Sequence, residues 1–111
     1  MPLSGTAGND SLLGTADADT IFGFAGDDTI QGFGGDDYIV GDIGDDSISG
    51  GEGNDSLNGG AGNDVLVSLD GEGTDKVDGG DNEATGGDIA YVDKGDTVTN
   101  VERVISLPPA L

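Results

Sequence analysis

The sequence predicts an all-β fold built as a flattened coil of short strands paired in parallel. Three observations predict it: a nine-residue period, an aliphatic residue held at one position of that period, and glycine and aspartate held at others. Cut every nine residues from Gly5, the chain reads GTAGNDSLL, GTADADTIF, GFAGDDTIQ, GFGGDDYIV, GDIGDDSIS, GGEGNDSLN and GGAGNDVLV, seven blocks ending at Val67 with no gap. Position 1 is Gly in all seven, and position 4 is Gly in six, with Asp17 the exception. Position 6 is always Asp: Asp10, Asp19, Asp28, Asp37, Asp46, Asp55 and Asp64. Position 8 is always Leu or Ile, from Leu12 to Leu66.

Positions 1 to 6 carry turn chemistry, because glycine supplies positive φ and aspartate hydrogen-bonds to nearby backbone. Positions 7 to 9 form a short strand. Alternation turns position 8 inward and positions 7 and 9 outward. Three-residue strands need neighbours, and two strands with two turns make an 18-residue coil. Block n then pairs with block n+2, odd and even blocks form two sheets, and the aliphatic residues meet between them.

Past Val67 the period loosens. Residues 68–78 read as a longer copy, with Gly73, Asp75 and Val77 at positions 4, 6 and 8. Residues 79–91 read as another, with Asn82-Glu83-Ala84-Thr85 inserted, Asp88 at position 6 and Ala90 at position 8. From Val92 the period is lost. The sequence therefore divides into a roll over 1–91, regular over 5–67 and irregular over 68–91, and a capping strand and tail over 92–111.

Composition excludes several functions. The 111 residues hold 23 Asp and Glu against 3 Lys and Arg, a net charge of −20. Such a charge repels phosphate and argues against nucleic acid. No apolar run approaches the length that spans a membrane, so no membrane insertion is expected. Cys and His are both absent, which removes disulfides, thiolate zinc sites and the commonest general base. The first residues, Met1 to Gly5, lack the basic and apolar regions of a cleavable signal. So much Gly and Asp would read as disorder, but a disordered tail has no reason to keep an aliphatic residue in phase.

The n, n+2 pairing stacks the position-6 aspartates in two ladders. One is Asp10, Asp28, Asp46, Asp64, which Asp88 extends; the other is Asp19, Asp37, Asp55, Asp75. Strands lie about 4.8 Å apart, and two carboxylates about 5 Å apart repel by roughly 3 kcal/mol at an effective dielectric of 20. Lys76, Lys94 and Arg103 all lie beyond the regular blocks. A hard divalent cation between successive coils removes the repulsion. Carboxylates and backbone carbonyls suit the oxygen shell of Ca²⁺ better than the strict octahedron of Mg²⁺. The candidate metal ligands are therefore these nine aspartates, holding about six or seven Ca²⁺ ions in all. Asp17 and Ala18 depart from the pattern and predict a weak site between Asp19 and Asp37. The extra carboxylates at position 5 (Asp27, Asp36, Asp45) either assist the metal or are simply solvated, and the second reading is the favoured one.

The blocks match G-G-x-G-x-D-x-U-x, where U is a large aliphatic, and GGEGNDSLN and GGAGNDVLV match at every specified position. The chain thus resembles the RTX (repeats-in-toxin) calcium-binding nonapeptide family. That resemblance implies a right-handed parallel β-roll, or β-solenoid, with Ca²⁺ between its turns. It also implies type I secretion from a Gram-negative bacterium, folding in the extracellular medium, and fusion to or derivation from a larger secreted protein. Residues Gly95 to Ile105 look like the D-T-hydrophobic-x-N-V-E stretch that follows such blocks, a closing strand for the core.

The resemblance gives the module no chemistry of its own. Carboxylates that recur at every turn mark ion ligands and not one acid and one base, so no enzyme activity is expected. Phe22, Tyr38 and Val40 on blocks two and four, with Phe24 and Phe33 on turns, leave an alternative role in binding a polysaccharide or a protein. Thr6 and Thr15 share position 2 but do not continue into a threonine array.

Overall fold

The computed structural model describes residues 2–68, 75–80, 88–93, 96–99, 101 and 103–107. Gly73, the Asn82–Thr85 insertion, Lys94, Gly95 and the tail from Pro108 lie outside the described residues. The strands are β1 (Pro2–Ser4), β2 (Ser11–Leu13), β3 (Thr20–Phe22), β4 (Thr29–Gln31), β5 (Tyr38–Val40) and β6 (Ser47–Ser49). They continue as β7 (Ser56–Asn58), β8 (Val65–Val67), β9 (Lys76–Asp78), β10 (Ile89–Asp93), β11 (Thr97–Thr99) and β12 (Arg103–Leu107).

Odd and even strands form separate six-stranded sheets, β1-β3-β5-β7-β9-β11 and β2-β4-β6-β8-β10-β12, and every pairing is parallel. This is the parallel β-roll that the period predicts. Register follows the blocks: Leu12 pairs with Ile30, Ile30 with Ile48 and Ile48 with Leu66. Each sheet turns its position-8 residues to the other, because side chains alternate across a strand. Ile21, Ile30, Ile39, Ile48, Leu57, Leu66, Val77, Ala90 and Val92 make the buried core. Leu3, Leu12, Val98 and Val101 pack against its two ends, half-buried. The molecule measures 42 × 35 × 16 Å, so its core is one layer of side chains deep.

At both ends the coil reaches further than the nine-residue frame does. Before the first block, β1 pairs with β3 and brings Leu3 beside Ile21. After Val92, β11 pairs with β9 and β12 with β10, so the C-terminal segment adds a rung to each sheet. Strand β10 itself runs across the 91/92 division. Val104 lies beside Ala90 on the outermost strand and is half exposed.

Candidate metal centre

The turns between strands carry the aspartate ladders on the two edges of the roll. All nine sequence-predicted aspartates except Asp10 are buried, each at most 3% exposed, and Asp10 at the first coil is half-buried. From Asp28 and Asp37 onward, Oδ1 of each carboxylate has a structural task. The backbone N–H of Asp10 donates to Asp28 Oδ1 (2.8 Å), that of Asp28 to Asp46 Oδ1 (2.8 Å), and that of Asp46 to Asp64 Oδ1 (2.8 Å). Asp64 donates to Asp88 Oδ1 (2.6 Å). On the other edge Asp19, Asp37 and Asp55 donate to Oδ1 of Asp37, Asp55 and Asp75 at 2.8, 2.8 and 2.7 Å. Asp75 donates to Asp96 Oδ1 (3.0 Å). Asp96 thus belongs to the ladder, although the sequence did not point to it. In the sequence it is only the Asp that opens the D-T-hydrophobic-x-N-V-E stretch, with no regular block around it.

The second oxygen sits differently. Oδ2 of Asp28, Asp37, Asp46 and Asp64 is buried with no hydrogen-bond partner. A buried anionic oxygen left so is costly, and a native fold requires a partner for it. Position-1 glycine shows where a partner fits. A Cβ added to Gly32 would lie 2.5 Å from Asp37 Oδ2 and 2.8 Å from the carbonyl oxygen of Gly50, one coil further on. At Gly23 the corresponding oxygens, Asp28 Oδ2 and Gly41 O, lie at 2.5 and 3.0 Å. A carboxylate oxygen and a carbonyl oxygen of the next coil therefore converge on a point that only glycine leaves open. Among the described residues no three carboxylates gather into a cage of side chains alone. A cation here would have to take its remaining ligands from the backbone and from water, which suits the oxygen-rich and variable shell of Ca²⁺.

Burial raises the pKa of these carboxyls, because the charged form loses its water. Burial pushes Asp37 up to about 6, Asp46 to about 7 and Asp64 to about 8, with neighbouring carboxylates adding to the rise. Asp28 moves the same way, for the same reason. Asp19 goes down, chiefly through the hydrogen bond from the Thr15 backbone.

The position-5 carboxylates are exposed, and their Oδ1 atoms are hydrogen-bonded along the axis in the opposite sense. Asp27 Oδ1 accepts from the Asp45 backbone (2.8 Å), Asp45 Oδ1 from Asn63 (2.9 Å) and Asp36 Oδ1 from Asn54 (2.8 Å). Asn9 does the same for Asp27, at 2.7 Å. This row pins each turn to the next and does not face the position-1 glycines.

Gly32→Ala should show what the glycine protects. Its methyl would occupy the space between Asp37 Oδ2 and Gly50 O, at a cost of at least about 2 kcal/mol, the range of overpacked and desolvated sites. Gly8→Ala is the control, since its Cβ meets nothing closer than Thr6 Oγ1 at 3.8 Å. Urea melts of both variants in saturating Ca²⁺ make the comparison, and equal stabilities would refute the cradle.

Fold and site together define a class: a β-solenoid whose stacked turns present rows of carboxylate and carbonyl oxygen to cations. The family model of the RTX calcium-binding nonapeptide repeat (4 copies) matches residues 4–32 and 31–66, more than half of the chain, and the chain belongs to that family. It is accordingly a calcium-binding repeat protein. No curated protein and no solved structure matches the chain.

Proposed function

We propose that the chain is a calcium-triggered folding module of a larger bacterial protein secreted by a type I system, ordered only once it meets extracellular Ca²⁺. The observation that carries this reading is the buried, partnerless Oδ2 of Asp28, Asp37, Asp46 and Asp64 inside a fold with so thin a core. The proposed ligands are the ladder aspartates, Asp10 to Asp88 as the sequence places them and Asp96 in addition, with position-1 carbonyls of the following coil. Such a module has no catalytic group. Inside the cell, where free Ca²⁺ is scarce, the ladders stay charged and the chain stays extended for export; outside, ions close the coils. The C-terminal segment serves as the closing element that a stacked architecture needs at its end.

Neutral amides separate the two carboxylate rows. Asp46→Asn keeps an acceptor at Oδ1 and removes the charge that faces the Gly41 cradle, whereas Asp45→Asn keeps the Asn63 bond and removes only an exposed charge. The calcium midpoint of folding, followed by circular dichroism, should rise about tenfold or more for Asp46→Asn and less than about twofold for Asp45→Asn, roughly 1.4 kcal/mol per decade. Equal shifts would mean that the ligands are misassigned.

One observation supports a second reading, a binding surface on the outer face of the odd sheet. Phe22 stacks on Phe24 (6.2 Å between centroids) and meets Tyr38 edge-on (6.3 Å). Phe24 and Phe33 keep φ of 66° and 67°, at positions where later blocks place Gly51 and Gly60. A bulky residue in that region is strained, and both rings stay over 40% exposed. Tyr38 also lines a groove of about 270 Å³, with Ser56, Asn58, Lys76, Asp78 and Thr97 among the other residues. Aromatic and hydroxyl-rich linings suit polysaccharide. A glycan array with and without Ca²⁺ tests this, and a Tyr38→Ala variant that binds as well as the wild type would discard it.

A further inference from the structure

The first two turns differ from those of blocks three to seven. In blocks three to seven, position 2 is left-handed: Phe24 (φ 66°), Phe33 (67°), Asp42 (71°), Gly51 (80°) and Gly60 (84°). Thr6 and Thr15 hold the same position in blocks one and two and are not left-handed. Their turns close inward on the aspartate instead. The Thr15 backbone N–H donates to Asp19 Oδ2 (2.6 Å), and its hydroxyl lies 3.1 Å from both carboxylate oxygens. Thr6 treats Asp10 alike, with its N–H at 2.5 Å from Oδ2 and its hydroxyl at 3.0 and 3.1 Å from Oδ1 and Oδ2. Each hydroxyl also accepts an N–H two residues on, from Gly8 and from Asp17, both at 3.1 Å. So the oxygen that is buried and partnerless at Asp28, Asp37, Asp46 and Asp64 is fully engaged at Asp10 and Asp19.

We infer that Thr6 and Thr15 are ion substitutes: they close the first coil in place of Ca²⁺, and the ion-filled part of the roll begins at Asp28 and Asp37. The reason is chemical. An ionised carboxylate held in a turn needs either a cation or hydrogen-bond donors on both of its oxygens. A hydroxyl and an amide on a carboxylate meet this need without a counter-ion. Eight inter-coil aspartate bonds occur among the described residues, two of them from the first coil. The count of bound ions should therefore be six. The inference rests on the calcium reading above, and a chain that neither binds Ca²⁺ nor folds with it would sink that reading first.

The test uses the full chain with Thr6→Val and Thr15→Val together, against Thr20→Val on the outer face of β3. Valine keeps the branched shape and deletes the hydroxyl. Native mass spectrometry at saturating Ca²⁺ should give six ions for the wild type and six for the double variant, whose calcium midpoint should rise at least threefold while Thr20→Val stays within 1.5-fold. A wild type with eight ions overturns the inference, as does a double variant that loses ions, which would make the hydroxyls ligands. A double variant with the midpoint of Thr20→Val overturns it too. If the valine protein does not fold at any Ca²⁺ concentration, Thr6→Ser with Thr15→Ser decides: a midpoint and ion count like the wild type support the inference, and failure to fold overturns it.

Discussion

Chelating Ca²⁺ at neutral pH should leave the chain largely without β-structure, and adding it back should restore the roll at roughly 10⁻⁴ to 10⁻³ M, the range of extracellular modules. The sequence places carboxylates at every turn and no regular basic residue among them. The fold buries Asp28, Asp37, Asp46 and Asp64 and uses only one oxygen of each for the ladder. Its single layer of core side chains offers little to offset that cost, so metal binding supplies folding free energy. Circular dichroism in chelator and in Ca²⁺ measures the change, and a fully folded spectrum in chelator at low salt would sink the idea. Protons should act in the same direction as the ion. A carboxyl whose pKa is raised on folding destabilises the fold when ionised, so its contribution favours folding below the unfolded value and is lost as pH rises through the folded one. For Asp37, Asp46 and Asp64 that window runs from the ordinary 3.8 to about 6, 7 and 8. In chelator, acidification from pH 8 to 5 should therefore raise β-content. A β-content that stays flat or falls would contradict the burial of the ladder.

Removing residues 94–111 should be nearly as damaging, although it takes away none of the seven regular aspartates. The truncation deletes β11 and β12, and with them Asp96 and the half-buried Val98 and Val101. Val77, Ala90 and Val92, each at most 1% exposed, would then form an open end. Asp75 would lose its inter-coil acceptor. Both sheets would also present bare parallel edges, which invite pairing between chains. The expected result is a calcium midpoint raised about tenfold or more, or aggregation in Ca²⁺ in place of folding. Light scattering and circular dichroism follow the two. A truncated chain that stays monomeric with an unchanged midpoint would make the segment a tail.

The middle of the roll was legible because each residue type there is fixed by one physical demand. Ile30, Ile48 and Leu66 face a core one layer deep, Gly32 and Gly41 sit where a methyl cannot, and Asp37 and Asp46 bridge coils. The ends were less legible, since a terminal rung satisfies only half of those demands. Leu3 is a lone aliphatic outside the frame. Asp96 follows an irregular stretch, so the period gave no reason to group it with Asp75. Position 5 misled for another cause. Exposure was inferred correctly, but a side chain can be exposed and still bridge two turns, and nothing in composition distinguishes Asp45 bonded to the Asn63 backbone from a solvated Asp45. Thr6 and Thr15 do not continue into an array in the sequence, and their closure on Asp10 and Asp19 is visible only with the backbone in place.

Register that repeats every 18 residues through the regular blocks gives this protein translational symmetry, and symmetry makes length an adjustable quantity. Inserting a second copy of residues 23–40 between Val40 and Gly41 adds one coil, two core residues and four aspartates, two of them in the ladders, and leaves both ends as they are. Each added coil raises the charge that the empty chain must carry and the number of ions that must arrive together. Coil number is thus a gain control: lengthening the array steepens the response to calcium, and neither end needs redesign.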